Sequence, residues 1–249
     1  MLSAAGIKHI RSLHRKKERQ GEGLFLVEGA KNLTELLESQ SYQIERLILS
    51  QDYYELFSNR FPGLLPLMVL ASPTQIEQAS TLESNSVGLA VVRTKETKLK
   101  YPSKNEWTLA LDGIRDPGNM GTIIRTADWF GIEQIWASAD CAEFYNPKTI
   151  MASMGSFCRV AVVPTDLPAA LAEYKGHKIG TMLDGEALGQ VHQTEITGGV
   201  VVIGSESHGI SPAVAEQLSL KVRIAGFGHA ESLNAGIATG IILHNLIKA

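Results

Sequence analysis

Six short apolar runs recur between residues 108 and 226: TLALDG (108–113), QIWAS (134–138), RVAVVP (159–164), KIGTML (178–183), GVVVIG (199–204) and KVRIAG (221–226). Helical patterns fit between them at 119–130, 147–156, 167–174 and 212–218, and a last one follows at 233–247. Such alternation is the signature of an α/β fold, and the carboxyl ends of its strands are where such a sheet binds ligands. Three of the connecting turns are rich in glycine.

A smaller α/β series precedes this one. LFLV (24–27) reads as a buried strand, followed by a helix with Ala30, Leu33, Leu36 and Leu37 on one side. ERLILS (45–50), PLMVLA (66–71) and GLAVVR (88–93) are further strands. TKETKLKYPSKNE (94–106) is polar and rich in lysine, so it reads as a linker. The expected organisation is a domain at 1–95, a linker at 96–106 and a second domain at 107–249.

Composition narrows the class. Of 249 residues 44% are hydrophobic and 20% charged, which supports a substantial core. No apolar run approaches the roughly 20 residues of a membrane span, and no apolar signal region follows the first charges. With only Cys141 and Cys158, a reducing, cytoplasmic setting is expected. The seven histidines and two cysteines show no metal-site spacing. Lys8, Arg11, Arg15, Lys16, Lys17 and Arg19 crowd the first twenty residues against Glu18 alone, which marks a polyanion contact or a solvated helix face.

In DPGNMGTIIRTADWFGI (116–132), Asp116-Pro117-Gly118 signals a turn, Asn119 suits a helix N-cap and Gly131 a C-terminal cap. At about 100° per residue Met120, Ile123, Ile124, Ala127 and Phe130 share one side, while Arg125 points away beside Trp129. Arg125 either pairs with Asp128 three residues on or meets a ligand that Gly121 lets approach. In GGVVVIGSESHGIS (198–211) a strand runs into Gly204-Ser205-Glu206-Ser207-His208-Gly209, after which Ser211 caps a helix with Pro212 at its first position. Glycines there permit close backbone approach to a ligand, and Glu206 can accept hydrogen bonds from hydroxyls. No Gly-Lys-Ser/Thr follows, so this is not an NTPase loop. In RIAGFGHAESLNAGIATGIILHNLIKA (223–249), Gly226 to Gly228 lead to Ser232-Leu233-Asn234 and a helix. Leu233, Ile237, Ile241 and Leu246 form its stripe, and Ala235, Gly236, Ala238 and Gly240 invite close packing. Ser232 reads as an N-cap, a catalytic hydroxyl, or both.

Together these stretches resemble the three signature motifs of the SpoU family of RNA 2′-O-ribose methyltransferases, within the SPOUT superfamily. The first motif matches at Asn119, Gly121 and Arg125 in LDGIRDPGNMGTIIRTADWFG, the second at Gly204, Glu206 and Gly209, the third at Ser232, Leu233 and Asn234. Ser207 stands where many relatives carry a further glycine. KHIRSLHRKKER and GLFLVEGAKNL resemble the L30e-like RNA-binding domain of the rRNA-directed branch.

The resemblance implies an L30e-like α/β domain followed by a SPOUT α/β domain with a deep trefoil knot. Generic topology rules alone would argue against a knot. It also implies S-adenosyl-L-methionine as methyl donor, a ribose 2′-hydroxyl as acceptor, no metal, and a homodimer. Gly204, Ile224 and Leu233, with Gly209 and Gly226, would line the cofactor pocket. Arg125, Asn119, Glu206, Ser232 and Asn234 would be the catalytic set. The family holds the arginine at this place to act as a base, yet a guanidinium with a pKa above about 12 stays protonated. Arg125 is therefore expected to clamp the adjacent phosphate and stabilise the forming alkoxide. The basic residues at 8–19 would bind RNA phosphates. Two alternatives stand beside an rRNA methyltransferase: a tRNA-directed enzyme, and a non-catalytic RNA-binding protein of the same fold. A dinucleotide oxidoreductase is disfavoured because no strand is followed by Gly-x-Gly-x-x-Gly and a downstream acid.

Overall fold

The computed structural model describes residues 2–190 and 196–247. They form two compact units, one of Met1–Glu96 with Glu143–Cys158, the other of Thr97–Ala142 with Arg159–Ala249.

The first unit starts with helices α1 (Ala4–Ser12) and α2 (Lys16–Glu22). Strand β1 (Leu24–Glu28), α3 (Ala30–Ser39), β2 (Ile44–Leu49), α4 (Gln51–Arg60), β3 (Met68–Leu70), α5 (Pro73–Ala79) and β4 (Gly88–Arg93) follow. The sheet order is β1-β4-β2-β3, with β4 antiparallel to both neighbours and β2 parallel to β3. A Cβ on Gly88 would lie 2.1 Å from the Ile48 carbonyl oxygen, so only glycine lets the two strands close there. Strand alternation divides the core: Phe25 and Val27 pack with Leu33, Leu36, Leu37 and Phe57, whereas Leu26 packs with Ile10, Leu13 and Ile76.

The second unit opens with β5 (Trp107–Asp112), α6 (Pro117–Trp129) and β6 (Gln134–Ala137). The chain then leaves it. Residues 143–158, with α7 (Pro147–Ser153), belong to the first unit, where Ile150 and Phe157 join the Phe25 core and Tyr145 packs on the Phe25 ring at 4.5 Å. By sequence position this helix falls within the domain expected at 107–249. Its apolar face is legible in sequence, but a pattern says that a face is buried, not against which sheet. The second unit resumes with β7 (Ala161–Pro164), α8 (Leu167–Glu173), β8 (Lys178–Ala187), β9 (Gly199–Gly204), α9 (Pro212–Ala215), β10 (Leu220–Arg223) and α10 (Ala235–Leu246).

Its six strands run β10-β8-β9-β5-β6-β7 and every pairing is parallel. The inner strands are buried on both faces, which is why they read as unbroken apolar runs. Residues 97–106 are fastened to this unit rather than loose. Lys100 N donates to Gln134 Oε1 at 2.8 Å, Gln134 Nε2 donates to the Lys98 carbonyl at 3.0 Å, and the Tyr101 ring stacks on Tyr174 and meets Trp136 edge-on. Helix α10 packs on α6 through its glycines: a Cβ on Gly236 would come within 2.8 Å of the Thr122 methyl. This close approach turns Ala235, Gly236, Thr239, Ile242, Leu243 and Leu246 inward and leaves Leu233 and Ile237 exposed, so only Leu246 of the expected stripe is buried. Among the described residues, no helix is long and apolar enough to cross a membrane.

Candidate active site

Strands β5 and β9 are neighbours, so the turns at their carboxyl ends lie side by side. The turn after β5 becomes α6 through Asp116, whose carboxylate accepts from Asn119 N at 2.8 Å with Pro117 in the first helical position. The expected cap was Asn119. Proline favours the first position of a helix, so the residue before it takes the capping role and the Asn119 side chain is freed.

That freed amide links the three motifs. Asn119 Nδ2 donates to Glu206 Oε1 at 3.0 Å, and Asn234 Nδ2 donates to Asn119 Oδ1 at 2.7 Å. Ala235 N also donates to Glu206 Oε1, at 3.0 Å. Asn234 Oδ1 caps α10 by accepting from Gly236 N at 2.9 Å and Ile237 N at 3.3 Å. Asn234, not Ser232, is thus the N-cap. Ser232 is exposed, and among the described residues nothing bonds its hydroxyl or Glu206 Oε2.

The turn after β9 is closed by its own backbone. Ser205 N donates to Gly209 O at 3.1 Å, Gly209 N donates back to Ser205 O at 2.9 Å, and Gly209 has φ 68°. A Cβ on Gly204 would sit 2.2 Å from the Gly209 carbonyl carbon. The turn itself therefore requires glycine at 204 and 209, in addition to the ligand approach expected there. Asp112, unremarked in the sequence reading although it ends a strand, accepts from Ser211 N at 2.7 Å and ties this turn to β5.

Arg125 stands exposed on α6, one turn before Trp129, which is 85% exposed. The Asp128 pairing is not formed. Asp128 instead takes a bidentate bond from Arg159, Nε to Oδ1 at 3.0 Å and Nη2 to Oδ2 at 2.8 Å. Ile224 is half-buried just past β10, and Gly226 and Leu233 lie in the exposed loop that follows. This loop leads from edge strand β10 to Asn234, which is bonded beside the carboxyl ends of β9 and β5. Among the described residues, no main-chain hydrogen bond involves residues 224–233.

A further chain of contacts borders the β5 turn. Gly113 N donates to Ser138 Oγ at 2.9 Å, Ser138 Oγ donates to Asp140 Oδ1 at 2.6 Å, and Arg115 Nη2 donates to Asp140 Oδ2 at 3.2 Å. The Ser138 hydroxyl, and after it Arg115, holds the Asp140 carboxyl below its ordinary pKa, against the opposing effect of burial. Burial pushes the neighbouring Cys141 thiol up. No disulfide joins Cys141 and Cys158, and no group of three or more His, Cys, Asp or Glu able to hold a metal occurs among the described residues.

In the first unit Lys8, Arg11, Arg15, Lys16 and Lys17 are exposed, and Arg15 pairs with Glu18 at 3.4 Å. Arg19 is only 2% exposed. Its Nη1 donates to the Leu13 and His14 carbonyls at 2.9 and 2.8 Å, and its Nε and Nη2 both bond the Glu143 carboxylate. Arg19 is therefore no phosphate ligand. It joins α2 to the segment that carries α7.

The SpoU rRNA methylase family model matches residues 106–244, more than half of the chain. The chain belongs to the SpoU rRNA methylase family. Residues 5–86 match the MRM3-like substrate binding domain. A 23S rRNA guanosine 2′-O-methyltransferase of Bacillus subtilis is 31% identical over 244 residues, covering 96% of this chain and 95% of that protein. A TrmH-family protein from Porphyromonas gingivalis superposes with a TM-score of 0.83 at 33% identity, covering 99% of this chain and 98% of that one. An AdoMet-bound rRNA methyltransferase from Sinorhizobium meliloti gives a TM-score of 0.87 at 26% identity, covering 99% and 96%.

Proposed function

We propose that the protein is an S-adenosylmethionine-dependent methyltransferase of ribose 2′-hydroxyls in rRNA. The observation that carries this reading is the bonding of Asn119, Glu206, Asn234 and Ala235 into one cluster at the carboxyl ends of β5 and β9. Support for rRNA over tRNA comes from the Bacillus relative and from the substrate-binding match in the first unit.

The loop at 224–233 suits the adenosyl donor. Its main-chain groups are open, it lies at the carboxyl end of a parallel sheet, and no Cβ-sized neighbour lies within 4 Å of Gly226 or Gly228. Ile224, Gly226 and Leu233 would hold the adenosyl group, with Gly204 and Gly209 shaping the adjoining turn. When bound, S-adenosylmethionine supplies an electrophilic methyl group on a sulfonium. The chain's own part is alignment and proton handling. Glu206 Oε1 is held by two N–H donors, which aims Oε2 outward to accept the hydrogen of the 2′-hydroxyl. Ser232, released from capping, hydrogen-bonds the ribose. Arg125 stays protonated, forks onto the adjacent phosphate and stabilises the forming alkoxide. Asn119 and Asn234 act through Glu206.

In the same reading the C-terminal segment that follows β10 is the one the family's trefoil knot threads. The protein works in the cytoplasm as a homodimer, the exposed Ile237 offering the contact, since the glycines of α10 are already packed on α6. Lys8, Arg11, Arg15, Lys16 and Lys17 bind the phosphates of a long substrate. Incubation of unmodified rRNA with methyl-labelled S-adenosylmethionine, followed by ribose-methylation mapping, tests the proposal. Label in a base, or none, refutes it.

A further inference from the structure

The second unit is acidic, with eleven Lys and Arg against fourteen Asp and Glu, yet its proposed substrate is a polyanion. Local cations at the mouth of the site must offset that field. Arg125 is one of them. The chain of contacts at the end of β5 supplies another, Arg115, which no motif singled out.

Arg115 lies between Gly113 and the cap Asp116, four residues before Asn119. Its side chain is 71% exposed, and Asp140 receives its Nη2. Asp140 is itself fixed through the Ser138 hydroxyl to the backbone of Gly113, and its Oδ2 would stand 3.3 Å from a Cβ on Gly113. The same Cβ would stand 3.6 Å from Ser205 Cβ, so the β5 turn that this carboxylate borders packs at Gly113 against the β9 turn. A solvent-exposed ion pair adds only about 0–1 kcal/mol to stability, so stability does not account for three successive bonds that present one guanidinium. Asp140 engages a single nitrogen. The remaining N–H groups of the fork have no hydrogen-bond partner among the described residues, and the side chain is 71% exposed.

We infer that Arg115 is a phosphate-binding residue for the RNA substrate, presented by Asp140 and Ser138 at the turn after β5, four residues before Asn119. This rests on the proposed methyltransferase reading and adds a second backbone contact to that of Arg125. Its role is positioning: it fixes where the strand lies and leaves the chemistry to the Glu206 cluster.

The test measures binding of an in vitro transcribed, unmethylated 23S rRNA as a function of salt. Each phosphate contact contributes roughly 0.7 to 0.9 to the slope of log K against log salt. Arg115→Gln is expected to lower the slope by about that amount and to raise KM several-fold, with S-adenosylmethionine affinity and kcat unchanged. Arg115→Lys, which keeps the charge, should keep the slope. Asp140→Asn should also keep the slope while raising KM, because the cation remains but is no longer aimed. A wild-type slope in Arg115→Gln overturns the inference even where the wild-type enzyme methylates the transcript. A wild-type enzyme that binds no S-adenosylmethionine and transfers no methyl group overturns the underlying reading, and this inference with it.

Discussion

Glu206→Gln separates the tie that this carboxylate makes between motifs from the proton role proposed for it. Oε1 accepts from Asn119 and from the Ala235 backbone, both at 3.0 Å, and so ties the first motif to the third. Oε2 is the oxygen proposed to take the hydrogen of the ribose hydroxyl. Glutamine retains an acceptor for the tie but puts an N–H donor in place of Oε2. Hydrogen bonds to a charged group contribute about 1.5–3 kcal/mol and neutral ones about 0.5–1.5, so neutralising the acceptor weakens each of the two bonds by about 1 kcal/mol. Because Glu206 is exposed, water competes for both, and a combined loss near 1 kcal/mol is the better expectation.

A loss of that size lowers Tm by roughly 2–4 °C. Were it felt entirely in the transition state, the rate would fall about fivefold. Removing an acceptor for the departing proton is larger, on the order of 10²–10⁴. Single-turnover methyl transfer, measured with thermal melting and S-adenosylmethionine calorimetry on the same samples, resolves the two. A Glu206→Gln enzyme that melts within a few degrees of wild type and transfers methyl within about tenfold of its rate would refute the proton role and leave Glu206 as a tie alone.

Arg125→Lys keeps the charge but loses the planar fork, and kcat/KM should drop at least about tenfold; wild-type turnover would dispose of the two-point clamp. Arg19→Ala should destabilise the first unit by about 3–5 kcal/mol, since it strands Glu143 without its buried partner, and denaturant titration reads that directly. The salt slope of RNA binding should not move in the same variant. Reversing the charge of Arg15, Lys16 and Lys17 should do the converse, flattening the slope by roughly 0.7–0.9 for each contact removed while leaving the melting curve within about 1 kcal/mol of wild type. A fragment of residues 1–95 lacks the Ile150 and Phe157 packing against Phe25. It should show weak amide-exchange protection that a version extended with residues 143–158 recovers.

The strands were legible because buried parallel strands leave unbroken apolar runs, and all ten expected strands occur near their expected places. The three motifs were legible because each pairs a glycine-shaped turn with polar residues at fixed spacing. Less visible was how hydrogen-bonding capacity is divided among neighbours. Asp116, Asn119, Ser232 and Asn234 can all cap helices; Pro117 selects Asp116 for α6, while α10 is capped by Asn234, which no local pattern distinguishes from Ser232. Arg19 looks like its five basic neighbours in sequence. It differs because its guanidinium meets Glu143, 124 residues away, and no local pattern encodes a partner at that distance.

The division of bonds also sets which side chains remain for chemistry. Asn119 donates from its nitrogen and accepts at its oxygen, and Asn234 does the same, so each amide is committed at both ends before substrate arrives. Their removal should therefore act through neighbours. Asn119→Ala deletes one of the two donors on Glu206 Oε1 and the acceptor for Asn234, which loosens the carboxylate without deleting it. The expected result is a lower kcat that Asn119→Asp does not restore, because a carboxylate facing Glu206 repels where the amide donates. Equal activity in Asn119→Asp and wild type would mean that Asn119 meets the substrate directly, and the free groups of the site would then be more than Arg125, Ser232 and Glu206 Oε2.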